Sequence, residues 1–433
     1  MEKIADYTND EEIRSIVGKF VVGNPIRITK LDTGNINRTL RVACDDYDRS
    51  TYILQRVNPA VFTTPITVIR NSQGVTRHLR QKALMNGENP EKATLHFIDT
   101  LNYDDNGYVS DDKNGLWRMT DFFKGAKTYN TIQEAYTEDG IDPITFAEEV
   151  GATYGKFASL LADYEGKLEP VIKDFHNTIQ RFCDLRVSHN IANYCAGSGN
   201  QIDVIYSFIK AGREKDGQEF INKSITEEEI EMSKKRFNDD RVQGAYSYLM
   251  AHELEAGRLE GLKQDGLVPL RVTHNDTQIN NVIFEEGKGV CVIDLDTVQY
   301  DTIFPDFGDM IRSSCNPAGE EPKDMSTVGI NLDYFAGMTR GYLREFGHML
   351  TEEEKDNLYR APRVLALELA SRFLADYMTG DKYFSVKEGQ DPDVNLHRAL
   401  VQIELAKDMK SKEEDMKQIV GECLTKPVVL AKK

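Results

Sequence analysis

The chain has 433 residues, enough for a large buried core and for more than one lobe. Its formal net charge of −18 argues against nucleic acid or an anionic membrane surface as the main partner. The apolar fraction is that of an ordinary globular protein, and no run of about 18 apolar residues is present to span a membrane.

The opening stretch, MEKIADYTNDEEI, is acidic and lacks an apolar signal core. Within residues 2–22, Ile13, Ile16, Val17 and Phe20 fall on one stripe and predict a short amphipathic helix. Residues 25–31, 39–42 and 52–57 alternate as strands and predict an antiparallel meander, with a turn at Asp32-Thr33-Gly34-Asn35 and a charged turn at 45–50. On the third strand, alternation sets Ile53, Gln55 and Val57 on one face and Leu54 and Arg56 on the other. Residues 64–86 predict a helix, with Pro65 in its first turn and Val68, Val75, Leu79 and Leu84 facing inward. Residues 93–100 and 115–121 read as further strands around a polar turn.

The chain then turns helical. Asp142-Pro143 is a cap followed by a first-turn proline, and Phe146, Val150, Tyr154, Phe157 and Leu161 follow at helical spacing. Residues 187–240 are polar and charged and read as an inserted, partly helical surface segment; 241–258 reads as a helix. His274, Asp276 and Asn281 then form H-x-D-x-x-x-x-N. Asn281 opens a strand, Glu285-Glu286-Gly287-Lys288-Gly289 is turn chemistry, and the returning strand delivers Asp294 beside Asn281. A free carboxylate with an Asn/Asp pair at a hairpin mouth is what phosphoryl transfer needs: a proton acceptor for the attacking hydroxyl and hard oxygen ligands for Mg²⁺. Asp296 is a second carboxylate on the same extended face, and core-like helices follow near 331–346, 352–378 and 393–424. The six cysteines are scattered without a C-x-x-C and read as reduced thiols of a cytoplasmic protein. Neither G-x-x-x-x-G-K-[ST] nor G-x-G-x-x-G occurs.

The catalytic stretch resembles that of eukaryotic-like kinases. With His two residues before the Asp, it looks like the aminoglycoside phosphotransferase and choline kinase superfamily. The wording RVTHNDTQINN, IDLDT and PDFGDMIR is similar to N-acetylhexosamine 1-kinases, as are TGNINRT, FHNTIQRF and RFLADYMTGDKYF. The resemblance implies an α+β, protein-kinase-like two-lobed fold. Its N-lobe is a small antiparallel sheet (1–121) and its large helical C-lobe (122–433) carries catalytic loop, metal and sugar sites. It implies ATP with Mg²⁺: Gly34 and Asn37 in the loop over the phosphates, and backbone groups from Thr120 to Phe122 on adenine. The third-strand lysine is missing, so either Gln55 or Arg56 stands there, and Gln73 replaces the acid of the following helix. Asp276 is implied as base, Asn281 and Asp294 as metal ligands, and Asp309 as a brace for the catalytic loop. Asn35, Asp276, Arg312 and Arg372 are implied on the sugar, GlcNAc or GalNAc, phosphorylated at its anomeric hydroxyl. His176 reads as a structural hydrogen bonder or a substrate contact. The rival readings are the same fold acting on an aminoglycoside, homoserine or choline, and a non-catalytic nucleotide-binding module.

Overall fold

The computed structural model describes residues 5–31, 36–46, 51–102, 107–222 and 225–425. The fold is α+β, with a small antiparallel sheet near the N-terminus and a larger helical part after it. The meander is β1 (Pro25–Lys30), β2 (Arg38–Cys44) and β3 (Thr51–Arg56). With β4 (Tyr108–Ser110) and β5 (Leu116–Asp121) it makes a five-stranded sheet in the order β1-β2-β3-β5-β4.

Alternation gives the sheet two unlike faces. Leu40, Val42, Leu54, Trp117 and Met119 are buried with Ile13, Ile16, Val17 and Phe20 of the N-terminal segment, whose helix spans Glu11–Val17. The register stacks Thr39 opposite Gln55 and Gln55 opposite Arg118, so these three share the other face. Residues 93–100 depart from the expected strand. Asn89 caps a short helix, Pro90–Ala93, and the chain then pairs as isolated bridges, Phe97 to Thr120 and Thr100 to Phe20, rather than as a strand. The extra strand lies instead at Tyr108–Ser110, inside the stretch that reads as a polar turn.

The helix Pro65–Met85 joins the sheet to the helical part. Val75 and Leu79 belong to the large C-terminal core, but Leu84 is 65% exposed, because the buried stripe passes through Ala83 instead. Asn71 donates to the Val298 carbonyl at 3.0 Å and Ser72 to the Leu295 carbonyl at 3.0 Å, fastening this helix to the segment after Asp294.

In the helical part, Pro143–Leu160 packs on Leu332–Phe346 backbone to backbone. A Cβ at Gly151 would collide with the Met338 carbonyl, and one at Gly341 with the Glu148 carbonyl. Ala361–Met378 is buried nearly all round and forms the centre of this part. Residues 187–240 are more helical than expected and carry a small apolar cluster of their own around Val187, Val204 and Phe208. Arg236 docks them on the central helix, lying 4.1 Å from the Tyr377 ring centroid and pairing with Asp381 at 2.6 Å. The two long C-terminal helices expected are each broken, at the 3-10 turn Leu358–Arg360 and at Lys412. None of the six cysteines is in a disulfide. Among the described residues no helix is long and apolar enough to cross a membrane.

Candidate active site

The site is built at the meeting of two small two-stranded units. β6 (Arg271–Thr273) pairs with β9 (Gln299–Asp301), and β7 (Val282–Glu285) pairs with β8 (Lys288–Val292). Between β6 and β7 the chain makes a tight polar loop. Asn275 takes a left-handed conformation with φ 64°, which turns Asp276 toward the cleft. Asp306 holds that turn, accepting from the His274 amide at 2.9 Å and the Asn275 amide at 2.7 Å. Asp309 does not brace the loop as expected; its carboxylate pairs with Arg312 at 2.8 Å. Both acids sit early in the helix Phe304–Ser314, and only the nearer one reaches the loop amides.

His274 is fixed as a neutral tautomer. Its Nδ1 accepts the Asp276 amide at 3.2 Å, so its Nε2–H donates to the Ile293 carbonyl at 2.8 Å. Burial holds its pKa below the ordinary 6.5, in keeping with that role. The imidazole thus ties the loop to the strand end that carries Asp294.

Asp276 accepts from Gln278 at 2.8 Å and, through its other oxygen, from Asn281 at 3.2 Å. Burial pushes its carboxyl up to about 6, with the Asp309 charge adding to the push and the two hydrogen bonds opposing it. Asn281 spends its amide nitrogen on Asp276, and its Oδ1 makes no hydrogen bond to the described residues. Asp294 also has φ 59°, uncommon for a residue other than glycine. Its carboxylate takes no hydrogen bond or ion pair from the described residues. Its depth in the molecule pushes it up to about 7, with Asp296 and then Asp276 adding charge repulsion. Asp294 is exposed to the cleft by surface area, so hydration offsets part of that push.

On the sheet side, Asn37 donates to Asp296 at 2.5 Å and accepts from the Asn58 amide at 3.0 Å. Gln55 faces the cleft, and its Oε1 accepts from Arg118 Nη2 at 2.9 Å. Arg56 lies on the opposite face and pairs with Asp111 at 2.9 Å. Gly34 and Asn35 lie outside the described residues. Thr120 is flanked by Ile53 on one side and Phe97 on the other, whereas the Phe122 main chain makes no hydrogen bond to the described residues.

On the helical side, His176 bridges the Glu368 carboxylate at 2.9 Å and the Asn275 carbonyl at 3.0 Å. Arg372, one turn beyond Glu368, has rings of Phe175, Tyr383 and Phe384 around it, with centroids 5.2 to 5.6 Å from its guanidinium carbon. It makes no hydrogen bond or ion pair to the described residues. Arg312, by contrast, is buried and engaged by Asp309 and Glu320, both at 2.8 Å.

Residues 27–340, most of the chain, match the APH phosphotransferase enzyme family. The chain belongs to that family. It is similar in fold to an amicoumacin kinase solved with AMP-PNP, Ca²⁺ and Ami, at 11% identity and a TM-score of 0.51, covering 91% of this chain and 93% of that one. A spectinomycin phosphotransferase solved with ADP and spectinomycin matches at 11% identity and a TM-score of 0.49, covering 93% and 100% of the two chains. A choline/ethanolamine kinase family protein from Mesorhizobium loti matches at 12% identity and 0.44, covering 92% of each. Membership makes the chain a phosphotransferase.

Three residues of this phosphotransferase escape a reading of the sequence: Asp306, Glu368 and Arg118. A signal was there for two of them. Glu368 interrupts an otherwise apolar helical run, and Arg118 interrupts an apolar strand, and a charge in such a place needs a partner.

Proposed function

We propose that this phosphotransferase is an ATP-dependent kinase that phosphorylates the anomeric hydroxyl of an N-acetylhexosamine, GlcNAc or GalNAc, giving the sugar 1-phosphate. The chemistry rests on one observation: a braced Asp276 carboxylate beside an Asp294 carboxylate and an Asn281 Oδ1 that no described protein group satisfies. Asp276 accepts the proton of the attacking hydroxyl. Asn281 Oδ1 and Asp294 hold Mg²⁺, which suits two hard oxygens left open in a cluster of excess negative charge. When bound with ATP, that ion neutralises charge on the phosphates. Asn37 steadies the loop above them, to which the resemblance also assigns Gly34, and Gln55 faces the same space. Adenine meets the main chain at Phe122, since Thr120 is enclosed by its neighbours.

The choice of acceptor rests on the resemblance to N-acetylhexosamine 1-kinases and on Arg372. An unpaired guanidinium beside the catalytic loop disfavours a polycationic aminoglycoside or choline. Its free donors suit ring hydroxyls and an acetamide carbonyl, and the surrounding aromatic rings suit the flat face of a sugar. Arg372 is therefore the contact we assign, joined by Asn35 on the strength of the resemblance alone; Arg312 is already engaged by Asp309 and Glu320. The test is ATP consumption over GlcNAc, GalNAc, an aminoglycoside, homoserine and choline, followed by phosphorus NMR of the product. A sugar 1-phosphate couples to the anomeric proton. A 6-phosphate, or turnover with another alcohol only, overturns the acceptor but not the chemistry.

A further inference from the structure

The resemblance calls for a lysine on β3, and this chain has Gln55 there. The sheet carries a cation one strand away. Arg118 on β5 stands directly opposite Gln55 in the ladder, on the cleft face, and donates to Gln55 Oε1 through Nε at 3.1 Å and Nη2 at 2.9 Å. Its Nη2 also pairs with Asp296, two residues from Asp294, and its side chain is 5% exposed. Nη1 makes no hydrogen bond to the described residues. A guanidinium's planar fork suits two phosphate oxygens at once.

We propose that Arg118 is the nucleotide-phosphate ligand of this enzyme, displaced from β3 to β5, with Gln55 orienting it and Asp296 holding it between turnovers. The proposal rests on the ATP-dependent reading above. A purely structural Arg118, clasping sheet to hairpin, is the competing explanation, and the two differ in what they do to phosphates.

Titration calorimetry on the full chain with MgATP, MgADP and adenosine separates them, with thermal unfolding recorded alongside. Arg118→Gln is expected to weaken MgATP and MgADP by about 10- to 100-fold, one to two charge-assisted hydrogen bonds, and to leave adenosine unchanged. Arg118→Lys keeps a point charge and is expected to lose several-fold; it serves if the glutamine variant does not fold. Arg56→Gln, on the far face, is expected to shift the melting temperature and leave all three affinities alone. Equal weakening of adenosine and ATP, or no weakening of either, overturns the phosphate role. If the wild-type chain binds adenosine and ATP with the same affinity, or neither, the ATP-dependent reading itself falls and Arg118 with it.

Discussion

Asp276 is within reach of two amide donors and carries no cation of its own, so its effect on rate should be chemical rather than architectural. Asp276→Asn is expected to lower turnover by about 10²–10⁴-fold with nucleotide affinity little changed. Near wild-type turnover in that variant would remove it as the base. Asp294→Ala should abolish the Mg²⁺ dependence of nucleotide binding, and Asn281→Ala should reduce it less, measured as nucleotide affinity with and without Mg²⁺. His176 and Glu368 make a different prediction, because both are fully enclosed. Burial alone would lower the His176 pKa, but the Glu368 carboxylate raises it above the ordinary 6.5; burial would raise Glu368, but His176 lowers it below 4.5. The histidine's stabilisation is therefore full below pH 6.5 and fades as pH rises through its folded value. The glutamate's is full above pH 4.5 and fades as pH falls through its own. Urea unfolding should show greater stability at pH 5.5 than at pH 8.5, and His176→Ala should cost about 3–5 kcal/mol and shrink that difference, the raised carboxyls of Asp276 and Asp294 keeping part of it. At this scale the sequence spoke through spacing: His274, Asp276, Asn281 and Asp294 are recognisable in line. Asp306 and Asp309 are not distinguishable in line, since both lie early in one helix and only the backbone path decides which meets the loop.

Elements were legible where the pattern is long. The hairpin β7–β8, the meander and the helix Pro65–Met85 all carry enough alternation or periodicity to be read. β4 has three residues, too few to show alternation, and 93–100 alternates without finding a continuous partner strand. The close packing of Pro143–Leu160 on Leu332–Phe346 was also out of reach, because a glycine in a helical pattern is silent about which backbone approaches it. Its test is Gly341→Ala. The helix propensity gain is about 1 kcal/mol, but the new methyl meets the Glu148 carbonyl and the Ala152 amide, and overpacking of this kind costs about 1–3 kcal/mol. Net destabilisation in urea is expected, while Gly421→Ala, with open space around it, should be neutral or stabilising. Equal effects at both positions would mean that the helices slide apart at no cost.

For the whole molecule, composition excluded more than it identified, and the two-part architecture came from the order of patterns: strands first, helices after. The lobe boundary near Asp121 and the reading of 187–240 as an insertion remain our proposals. What no pattern could convey is how the two parts are joined. The four residues from Leu295 to Val298 are held from both sides: Asn37 and Arg118 reach Asp296 from the sheet, while Ser72 and Asn71 hold the carbonyls of Leu295 and Val298 from the connecting helix. The consequence is kinetic. If the phosphates settle beside Asp294, as proposed, and displace part of this clasp, nucleotide association becomes a two-step process with an opening step ahead of it. In stopped-flow mixing, the observed rate should level off as nucleotide concentration rises instead of climbing in proportion. Asn37→Ala, which removes one strand of the clasp, should lift that plateau; a linear dependence in the wild type would mean that the cleft stands open at rest.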